Sequence, residues 1–224
     1  MTVLTASARV PVAPLFTTFR AHPSLNELPN RLTYGGALVS GADATERRLL
    51  LDLFEFSAKN LPFLFVYVAG TSQPAVTKSH LNEVEATVCL TIATEFTGKG
   101  VRADQIRVIT SHREQYRKLA EPLREMGIEL STVDTAQERE KDVVILLTTK
   151  TGFDPEAAEF LDDQRRMNVA LTRSRHDQFV LGHGVTTTRG ERTVHRLRAV
   201  DQSTGRLASF TKTLSQPSLT TTSL

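Results

Sequence analysis

Metal-binding and disulfide-forming residues are scarce in this 224-residue sequence, which has one cysteine, Cys89, and six histidines. A single cysteine excludes an internal disulfide framework and a multi-cysteine zinc site, and the scattered histidines lack the spacing of metal ligands. No metal site is therefore predicted. The N-terminus shows no basic stretch followed by an apolar core, and no apolar run is long enough to span a bilayer. We therefore expect no membrane segment and a reducing intracellular setting, either cytoplasmic or nuclear.

An excess of charge of one sign is also lacking. The formal net charge is +2, the sequence pI is about 8.8, and 40% of the residues are apolar. This composition suffices for a sizeable globular core. Any contact with nucleic acid must come from local clusters of basic side chains, because the protein as a whole creates only a weak field.

From Phe63 onward, apolar runs of strand length alternate with segments of helical periodicity. The strand candidates are Phe63 to Val68, Ile106 to Thr110, Glu129 to Val133, Val143 to Thr148 and Phe179 to Gly182. Apolar residues at helical spacing are Leu81, Val84, Val88, Ile92 and Phe96, then Tyr116, Leu119, Leu123 and Met126. Gly98 to Gly100 and Gly127 should end these two helices, and Pro122 should kink or split the second. The alternation predicts βαβ units around a parallel sheet.

Before Phe63 the helical signals are shorter. Ser24 and Glu27 resemble a capping box that starts a short helix, and Tyr34-Gly35-Gly36 predicts a turn. Residues 44–58 suggest a second helix, which must end before Pro62. The predicted domains are a lead-in segment over 1–22, an α/β domain over 23–185 and a mobile polar tail over 186–224. A short helix around 194–200 is the alternative for part of the tail.

The most basic segment runs from Asp163 to Arg175. It contains four arginines, namely Arg165, Arg166, Arg173 and Arg175, and an apolar face formed by Met167, Ala170 and Leu171 at helical spacing. A helix with this pattern directs positive charge at an anion. The alternative is a solvated helix whose arginines form surface ion pairs.

Polar clusters follow two of the strand candidates, at residues 110–115 and 134–142. In a parallel sheet the carboxyl ends of the strands meet at one edge, where ligands bind. With the arginines before the last strand, these clusters predict amide, carboxylate and guanidinium groups along one edge, which suits a phosphate ester or a nucleotide. Taken alone, the cluster Gln137-Glu138-Arg139-Glu140 is also typical of a surface turn.

Five segments in order along residues 15–182 match motifs of one protein family. Thr18-Phe19-Arg20-Ala21-His22-Pro23 is similar to Gln-Tyr-Arg-Met-His-Pro, and residues 79–86 match Ser-x-x-Asn-x-x-Glu-Ala. Residues 108–115, 131–142 and 165–175 resemble motifs IV, V and VI. The chain thus resembles the C-terminal RecA-like lobe of superfamily 1 helicases of the Upf1-like group. The resemblance implies an α/β fold of RecA-like (P-loop NTPase-type) architecture, with a parallel sheet and helices on both faces.

The resemblance also implies roles for individual residues. Arg173 would be the arginine finger that reaches the γ-phosphate of ATP, and Glu140 would contact the ribose or the water shell of Mg²⁺. The other nucleotide-site residues would be Gln137, Arg139, Arg166 and Arg20, the last two lining the interlobe cleft. Contacts with the backbone of single-stranded RNA or DNA would come from Thr110, Ser111 and Thr132. For Asn82, Glu85 and Gln115, helix capping or packing is an equal alternative.

Several positions depart from the family motifs. Thr18 replaces a glutamine that senses the γ-phosphate, and Glu138 replaces a glycine. Ser111 and His112 replace the proline and tyrosine of motif IV. A carboxylate at Glu138 repels phosphate if it faces inward, and the loss of glycine restricts the loop.

The phosphate loop of such an enzyme is absent from the sequence. No Gly-x-x-x-x-Gly-Lys-Ser/Thr occurs, and no strand candidate ends in Asp-Glu. We therefore expect half an ATP site, which an N-terminal RecA-like lobe in cis or in trans would complete, with ATP and Mg²⁺ bound only then. The start close to Thr18 suggests a truncated product or the C-terminal part of a longer protein.

Three functions follow as hypotheses. The leading one is a C-terminal helicase lobe that supplies Arg173 and Glu140 to an ATP site between two lobes. The second is a degenerate, non-catalytic module that binds RNA or a protein partner. The third, a free-standing nucleotide-using α/β enzyme, lacks a glycine-rich loop after any strand candidate.

Overall fold

The computed structural model describes residues 15–54, 56, 60–77, 79–136, 140–151 and 164–183. The predicted tail at 186–224 lies outside these ranges, as do most of the lead-in segment and the predicted site residues Gln137 and Arg139. The predicted domain boundaries therefore stay predictions.

Strands and helices alternate along the described part of the chain. The strands are β1 (Thr17–Thr18), β2 (Val39–Ser40), β3 (Phe63–Tyr67), β4 (Gln73–Pro74), β5 (His80–Leu81), β6 (Ile106–Thr110), β7 (Glu129–Thr132), β8 (Lys141–Leu147) and β9 (Ser174–Gly182). The helices are α1 (Pro23–Thr33), α2 (Leu49–Leu53), α3 (Glu83–Gly98), α4 (Arg113–Glu125) and α5 (Gln164–Leu171), with short 3-10 turns at Ala44–Glu46 and Ala103–Gln105. None of the helices in these ranges is long and apolar enough to cross a membrane.

A five-stranded sheet in the order β3-β9-β8-β6-β7 forms the centre of the fold. Every neighbouring pair in it is parallel. The central strand is β8, whose Ile145 pairs with Val108 on one side and with Phe179 on the other. The short strands form two separate pairs, parallel β1-β2 and antiparallel β4-β5. The predicted parallel α/β sheet is confirmed.

Helices cover both faces of the central sheet. On one face, α2, α3 and α4 pack against a core that includes Val108, Ile145 and Phe179. On the other face, α1 and α5 pack against a core that includes Val144 and Val180. Successive residues of a strand point to opposite faces, so each central strand contributes to both cores. This layered arrangement confirms the predicted RecA-like fold class.

All five predicted strands are present, with shifts at their ends. β6 has the predicted bounds, whereas β9 begins at Ser174 and not at Phe179. The early part of β9 is polar, with Ser174, Asp177 and Gln178 buried, and Asp177 and Gln178 continue the pairing with β8. A pattern of apolar residues cannot detect a strand segment whose buried side chains are polar.

Two predictions about the first helices are wrong. α1 begins at Pro23 with His22 as its N-cap, because His22 Nδ1 accepts the Ser24 N–H at 3.2 Å. Among the described residues of 44–58, only a 3-10 turn and the short α2 are helical. Side chains of β9 determine where α2 begins, since the Leu50 N–H donates to Asp177 Oδ2 at 3.0 Å.

The two long helices agree better with the prediction. α3 ends at Gly98, and α4 ends just before Gly127, whose φ is +73°. α4 continues through Pro122 as one helix, so the predicted split is wrong. Pro122 lies in the last turn, where its missing N–H removes only one helical hydrogen bond.

Candidate functional site

The predicted site residues lie at two opposite edges of the central sheet. Glu140 precedes β8 and Arg173 precedes β9, so both lie where the strands begin, which we call the amino edge. Thr110 and Thr132 end β6 and β7 and therefore lie at the carboxyl edge. The prediction of a single edge is wrong, because residues before a parallel strand lie opposite to residues after it.

At the amino edge, Glu140 joins two arginines from distant parts of the sequence. Its Oε1 forms an ion pair with Arg20 Nε, and its Oε2 accepts from Arg175 Nε at 3.2 Å. A backbone contact holds these segments together, since the His22 N–H donates to Arg175 O at 2.8 Å. One carboxylate thus neutralises only part of the local positive charge.

Arg173 lies close to these residues. We call Arg20, Arg173 and Arg175, together around Glu140, the arginine cluster. Arg173 Nε donates to Val169 O at 3.0 Å, and its Nη2 donates to Thr172 Oγ1 at 2.9 Å. Burial and then the charge of Arg20 lower the pKa of Arg173, and Glu140 opposes this shift. A half-buried guanidinium beside a second one favours an anion as a further neighbour.

The sequence of α5 explains how this end of the helix is held. Met167, Ala170 and Leu171 are buried as predicted, whereas Arg165 and Arg166 are exposed. Arg166 lies in the first half of α5, with its Nε 3.3 Å from Asp134 Oδ1 on the loop after β7. Arg166 lies five residues before the end of α5, about 7.5 Å along the helix axis, so it is directed to that loop and not to Glu140.

At the carboxyl edge, the three predicted strand-binding residues have different surroundings. Thr110 is fully buried, and its Oγ1 accepts the His112 N–H at 3.3 Å. Ser111 Oγ is buried and has no hydrogen-bond partner within the described ranges. Thr132 is half-buried, with its Oγ1 3.0 Å from Thr135 Oγ1. Thr132 is thus the most accessible hydroxyl of the three.

A buried network connects α3 and α4 at this edge. Asn82 Oδ1 accepts the Glu85 N–H at 3.1 Å and so caps α3. Gln115 Oε1 accepts the Asn82 N–H at 2.8 Å, and Gln115 Nε2 donates to Glu85 Oε2 at 3.3 Å. The capping and packing alternative for Asn82, Glu85 and Gln115 is confirmed.

Glu85 connects this network to the loop after β8. Its Oε1 accepts the N–H of Thr148 at 3.2 Å and the N–H of Thr149 at 2.9 Å. Complete burial raises the pKa of Glu85 to about 7, although both N–H groups oppose the shift. Thr149 has a φ of +58°, which is uncommon outside glycine. We call Asn82, Glu85, Gln115, Thr148 and Thr149 the Glu85 network.

The family motif Ser-x-x-Asn-x-x-Glu-Ala was the sequence signal that pointed to two members of this network. Thr148 and Thr149 carry no such signal, because they contribute backbone N–H groups that every residue except proline possesses. Arg175 was noted only as one of four basic residues, and nothing in its spacing shows that it contacts Glu140.

The chemistry of the amino edge suits phosphate oxygens. Guanidinium forks bind such oxygens well, whereas Mg²⁺ prefers a shell of carboxylates, carbonyls and water. The described residues contain no group of three or more His, Cys, Asp or Glu side chains that could hold a metal ion. The arginine cluster therefore fits the polyphosphate of a nucleotide, and the described residues offer no ligand set for the ion itself.

Comparison with known proteins identifies the family. The AAA domain family matches residues 1–185. The regulator of nonsense transcripts 1 homolog of Drosophila melanogaster is 33% identical over 175 residues, or 74% of this chain. The ATP-dependent helicase NAM7 of Saccharomyces cerevisiae is 30% identical over 190 residues, or 80% of this chain. The chain spans 15% and 19% of the lengths of these two relatives.

One solved structure is also similar to this chain. It is the C-terminal domain of a possible DNA helicase from Lactobacillus plantarum WCFS1, with a TM-score of 0.46 and 12% identity over 80% of this chain and 96% of that chain. The AAA domain match covers every strand of the central sheet and both of its edges. The chain therefore belongs to the AAA domain family, as a C-terminal RecA-like lobe of the Upf1-like superfamily 1 helicases.

Proposed function

We propose that this lobe supplies Arg173 and Glu140 to an ATP site between two RecA-like lobes and contacts single-stranded RNA or DNA at its carboxyl edge. The observation that carries the proposal is the arginine cluster, in which three guanidinium groups lie around one carboxylate. An excess of guanidinium groups is suited to a polyphosphate. The inferred setting is intracellular, in the cytoplasm or the nucleus.

Each residue of the cluster has a distinct part in this proposal. Two nitrogens of the Arg173 guanidinium donate to Val169 O and Thr172 Oγ1 at the end of α5, and this hold would orient the guanidinium for the γ-phosphate. An arginine finger stabilises the charge of the transferring phosphoryl group and contributes about 10³- to 10⁵-fold to the rate. Arg20 adds a second cation beside it. When bound, ATP with Mg²⁺ supplies the phosphoanhydride bond and a neutralising divalent charge.

Glu140 would bind a ribose most readily if it exchanged one of its arginine partners. Both of its carboxylate oxygens already accept from arginines, Oε1 from Arg20 and Oε2 from Arg175. A γ-phosphate that attracts Arg20 would release Oε1 for a ribose hydroxyl. Gln137 and Arg139, which precede Glu140 in the sequence, would line the ribose, and Arg166 would line the interlobe cleft.

The carboxyl edge would hold the nucleic acid. Of the predicted contacts Thr110, Ser111 and Thr132, the half-buried Thr132 has the hydroxyl best placed to meet phosphate oxygens, which position a strand without reading its bases. The buried hydroxyls of Thr110 and Ser111 would have to become accessible first. Closing and opening of two lobes around ATP would then move the strand along this edge. The sequence has no glycine-rich phosphate loop, so a second lobe has to supply the phosphate cradle and the metal ligands.

The test measures ATP hydrolysis by the chain alone and by the chain mixed with the N-terminal lobe of an Upf1-like helicase, with and without single-stranded RNA. We expect turnover only in the mixture, and a loss of at least about 100-fold in Arg173→Ala. The matched control is Arg124→Ala, which removes an exposed arginine that pairs with Glu121 on the other face of the sheet. This control should retain full turnover.

Two results would overturn the ATP-site assignment. One is turnover by the chain alone that Arg173→Ala leaves unchanged, since the chemistry would then lie elsewhere. The other is an equal loss in Arg173→Ala and Arg124→Ala, which would indicate a general effect of removing surface charge.

The double ion pair of Glu140 favours a second candidate function. A carboxylate already held by two arginines suits a structural role, as expected of a degenerate lobe that binds RNA or a protein partner without ATP. In that case strand affinity should be the same with and without ATP and the N-terminal lobe. A change in strand affinity on adding both would exclude this candidate.

A further inference from the structure

One tyrosine at the carboxyl edge is exposed, and the proposed function does not use it. Tyr67 is the last residue of β3 and is 41% exposed, whereas the other four residues of this strand are buried or half-buried. β3 is the first strand in the order of the central sheet, so within the described residues it has a strand neighbour in that sheet on one side only. Tyr67 thus lies at the corner where the carboxyl edge meets the open side of the sheet.

The segment that ends β9 contacts the ring of Tyr67 from one side. Tyr67 pairs with Gly182, which has no side chain to cover the ring. The next residue, His183, does contact it, because Tyr67 Oη and His183 Nε2 lie 3.3 Å apart, within hydrogen-bond reach. The two ring centroids are 5.3 Å apart, and the ring planes meet at 45°. These contacts restrict the direction of the tyrosine ring while much of its surface stays exposed.

The surroundings of Tyr67 indicate what kind of ligand its ring can meet. Thr148 lies against Gly182, since a Cβ there would collide with Thr148 Oγ1. Further along the same edge, hydrogen bonds join the loops after β3 and β8, and the Ser72 N–H donates to Thr151 Oγ1 at 2.7 Å. A single ring among hydroxyl groups is too small and too polar a surface for an apolar protein partner. It suits a flat ring with polar edges, such as a nucleobase.

We propose that Tyr67 is a stacking platform for a base of single-stranded nucleic acid that lies along the carboxyl edge. The inference rests on the proposed function, because it assumes a strand at this edge. It adds a contact with a base to the proposed backbone contacts, at a residue outside the five motif segments. Every base has a π-face, so this contact holds a strand without selecting a sequence.

The distance between Tyr67 and the phosphate contact proposed for Thr132 determines how long a strand must be to reach both. β3 and β7 are the first and last strands in the order of the sheet, so their carboxyl ends are four strand spacings apart, or about 19 Å. At 3.4 Å per stacked nucleotide, about six nucleotides cover this distance, and an extended strand needs fewer. Tyr67 and Thr132 can therefore hold one strand of this length, the first by a base and the second by the backbone.

The test is a fluorescence anisotropy titration of a labelled oligo-uridine of about ten nucleotides, which exceeds this length, with the full chain. Tyr67→Leu keeps an apolar side chain but removes the aromatic ring, and it should lower strand affinity by about 5- to 150-fold. Tyr67→Phe keeps the ring and loses the hydroxyl contact with His183, so it should bind nearly as tightly as wild type. Phe16→Leu is the matched control, because it removes another exposed aromatic ring, four residues before Arg20, and should leave strand affinity unchanged.

A second measurement reports stacking directly and does not depend on whether Tyr67→Leu folds. The chain contains no tryptophan, so Tyr67→Trp introduces a single fluorescent indole. A base stacked on the indole should quench its fluorescence, so we expect oligo-uridine to quench the signal of Tyr67→Trp as it binds. A strand with the same sugar-phosphate backbone but without bases should leave this signal unquenched. Phe16→Trp provides the control, and neither strand should quench it.

The outcomes distinguish this inference from the proposed function. Strand affinity that Tyr67→Leu leaves unchanged, or a Tyr67→Trp signal that both strands quench equally, overturns the stacking site and leaves the helicase assignment standing. An equal loss of affinity in Tyr67→Leu and Tyr67→Phe also overturns it, because the hydroxyl and not the ring would then be the contact. An absence of strand binding by wild type, also in the presence of the N-terminal lobe, overturns both. A loss confined to Tyr67→Leu, with quenching by oligo-uridine alone, supports the site.

Discussion

The two edges of the central sheet are built from opposite kinds of interaction. At the amino edge, the arginine cluster consists of charged side chains, and Arg20, Glu140 and Arg175 are each between 22% and 49% exposed. At the carboxyl edge, the Glu85 network is buried and contains one carboxyl group, whose pKa is raised to about 7. The amino edge thus has partly exposed ion pairs whose partners a ligand can exchange. The carboxyl edge has buried hydrogen bonds that fix the loop after β8.

The difference in burial determines which edge the stability of the fold depends on. Exposed ion pairs contribute little, because water and salt screen them and long side chains lose entropy on pairing. Buried hydrogen bonds cost much more to break, because a donor or acceptor left without a partner is also desolvated. We therefore expect substitutions to have large effects on stability at the carboxyl edge and small ones at the amino edge. For the affinity of a bound polyphosphate, we expect the larger effects at the amino edge.

The largest effect is expected for Glu85→Gln measured against pH. Because the pKa of Glu85 is raised from 4.5 to about 7 by folding, its contribution to stability is present below pH 4.5 and is lost as pH rises to about 7. The free energy of unfolding of wild type minus that of the variant should therefore fall by up to about 3 kcal/mol across that window. Denaturant titrations at several pH values measure this difference.

Two comparisons make this measurement specific to Glu85. The histidines whose pKa is lowered, including His22 at about 4, destabilise both proteins equally in acid, so they cancel in the difference. Glu95→Gln, an exposed change on the same helix, is the control for replacing a glutamate of α3 by glutamine. If the difference in the free energy of unfolding for Glu85→Gln did not change with pH, folding would not raise the pKa of Glu85. The contrast between the two edges would then disappear.

Gly70→Ala should have the next largest effect on stability, because the added methyl group would clash with Asn82 of the Glu85 network. A Cβ at Gly70 would lie 2.4 Å from Asn82 Oδ1 and 2.7 Å from Val84 Cβ. The Asn82 side chain caps α3, so moving it costs a cap as well as packing. We expect a loss of about 2 kcal/mol in the free energy of unfolding.

Gly98→Ala is the matched control for this change. Gly98 ends the same helix, and a Cβ there would meet no atom within 4 Å. Alanine favours a helix over glycine, so this variant should be unchanged or more stable by up to about 1 kcal/mol. Equal losses in the free energy of unfolding of the two variants would show that the effect of Gly70→Ala does not come from a clash with the Asn82 cap.

The strands and the two long helices could be predicted because apolar residues occupy most of their buried positions. β6 carries three apolar residues, Ile106, Val108 and Ile109, and has its predicted bounds, and α4 buries Leu119 and Leu123 at helical spacing. Ser174 to Gln178 could not be assigned to β9, because Ser174, Asp177 and Gln178 are buried although they are polar, and Ser174 Oγ donates to Asp177 O at 2.7 Å. Side-chain polarity alone indicates a loop at such positions.

The sequence selected candidate residues of the site but not their arrangement, and the roles of these residues stay predictions. Motif spacing selected Arg20, Glu140 and Arg173, and the structure brings these three together. The same spacing does not say that Glu140 begins a strand while Thr110 ends one, so the sequence placed them on one edge. The sequence did not predict the contacts of Arg175 and Thr149. These contacts are an ion pair and a backbone N–H hydrogen bond, and they depend on which segments the fold brings together.

Arg175→Ala should have a small effect on stability, which tests the amino edge directly. It removes one of the two partners of Glu140 and leaves the ion pair with Arg20 in place. We expect a loss of at most about 1 kcal/mol in the free energy of unfolding, and a smaller loss as salt is raised. Thermal or denaturant unfolding at low and high salt measures this. A loss comparable to that of Gly70→Ala would contradict the assignment of this edge to weak, exposed pairs.

The smallest effect on stability is expected for Asp134→Asn, which removes the exposed partner of Arg166 just beyond β7. The free energy of unfolding should change by less than about 0.5 kcal/mol, because both side chains are largely exposed. Strand affinity should nevertheless rise by a few-fold at low salt, since a negative charge near the carboxyl edge repels phosphates, and the gain should fade at high salt. Asp52→Asn, which breaks an exposed pair with Arg48 on the opposite face of the sheet, provides the control. Equal gains from both changes would show that the strand responds to the net charge of the chain and not to this edge.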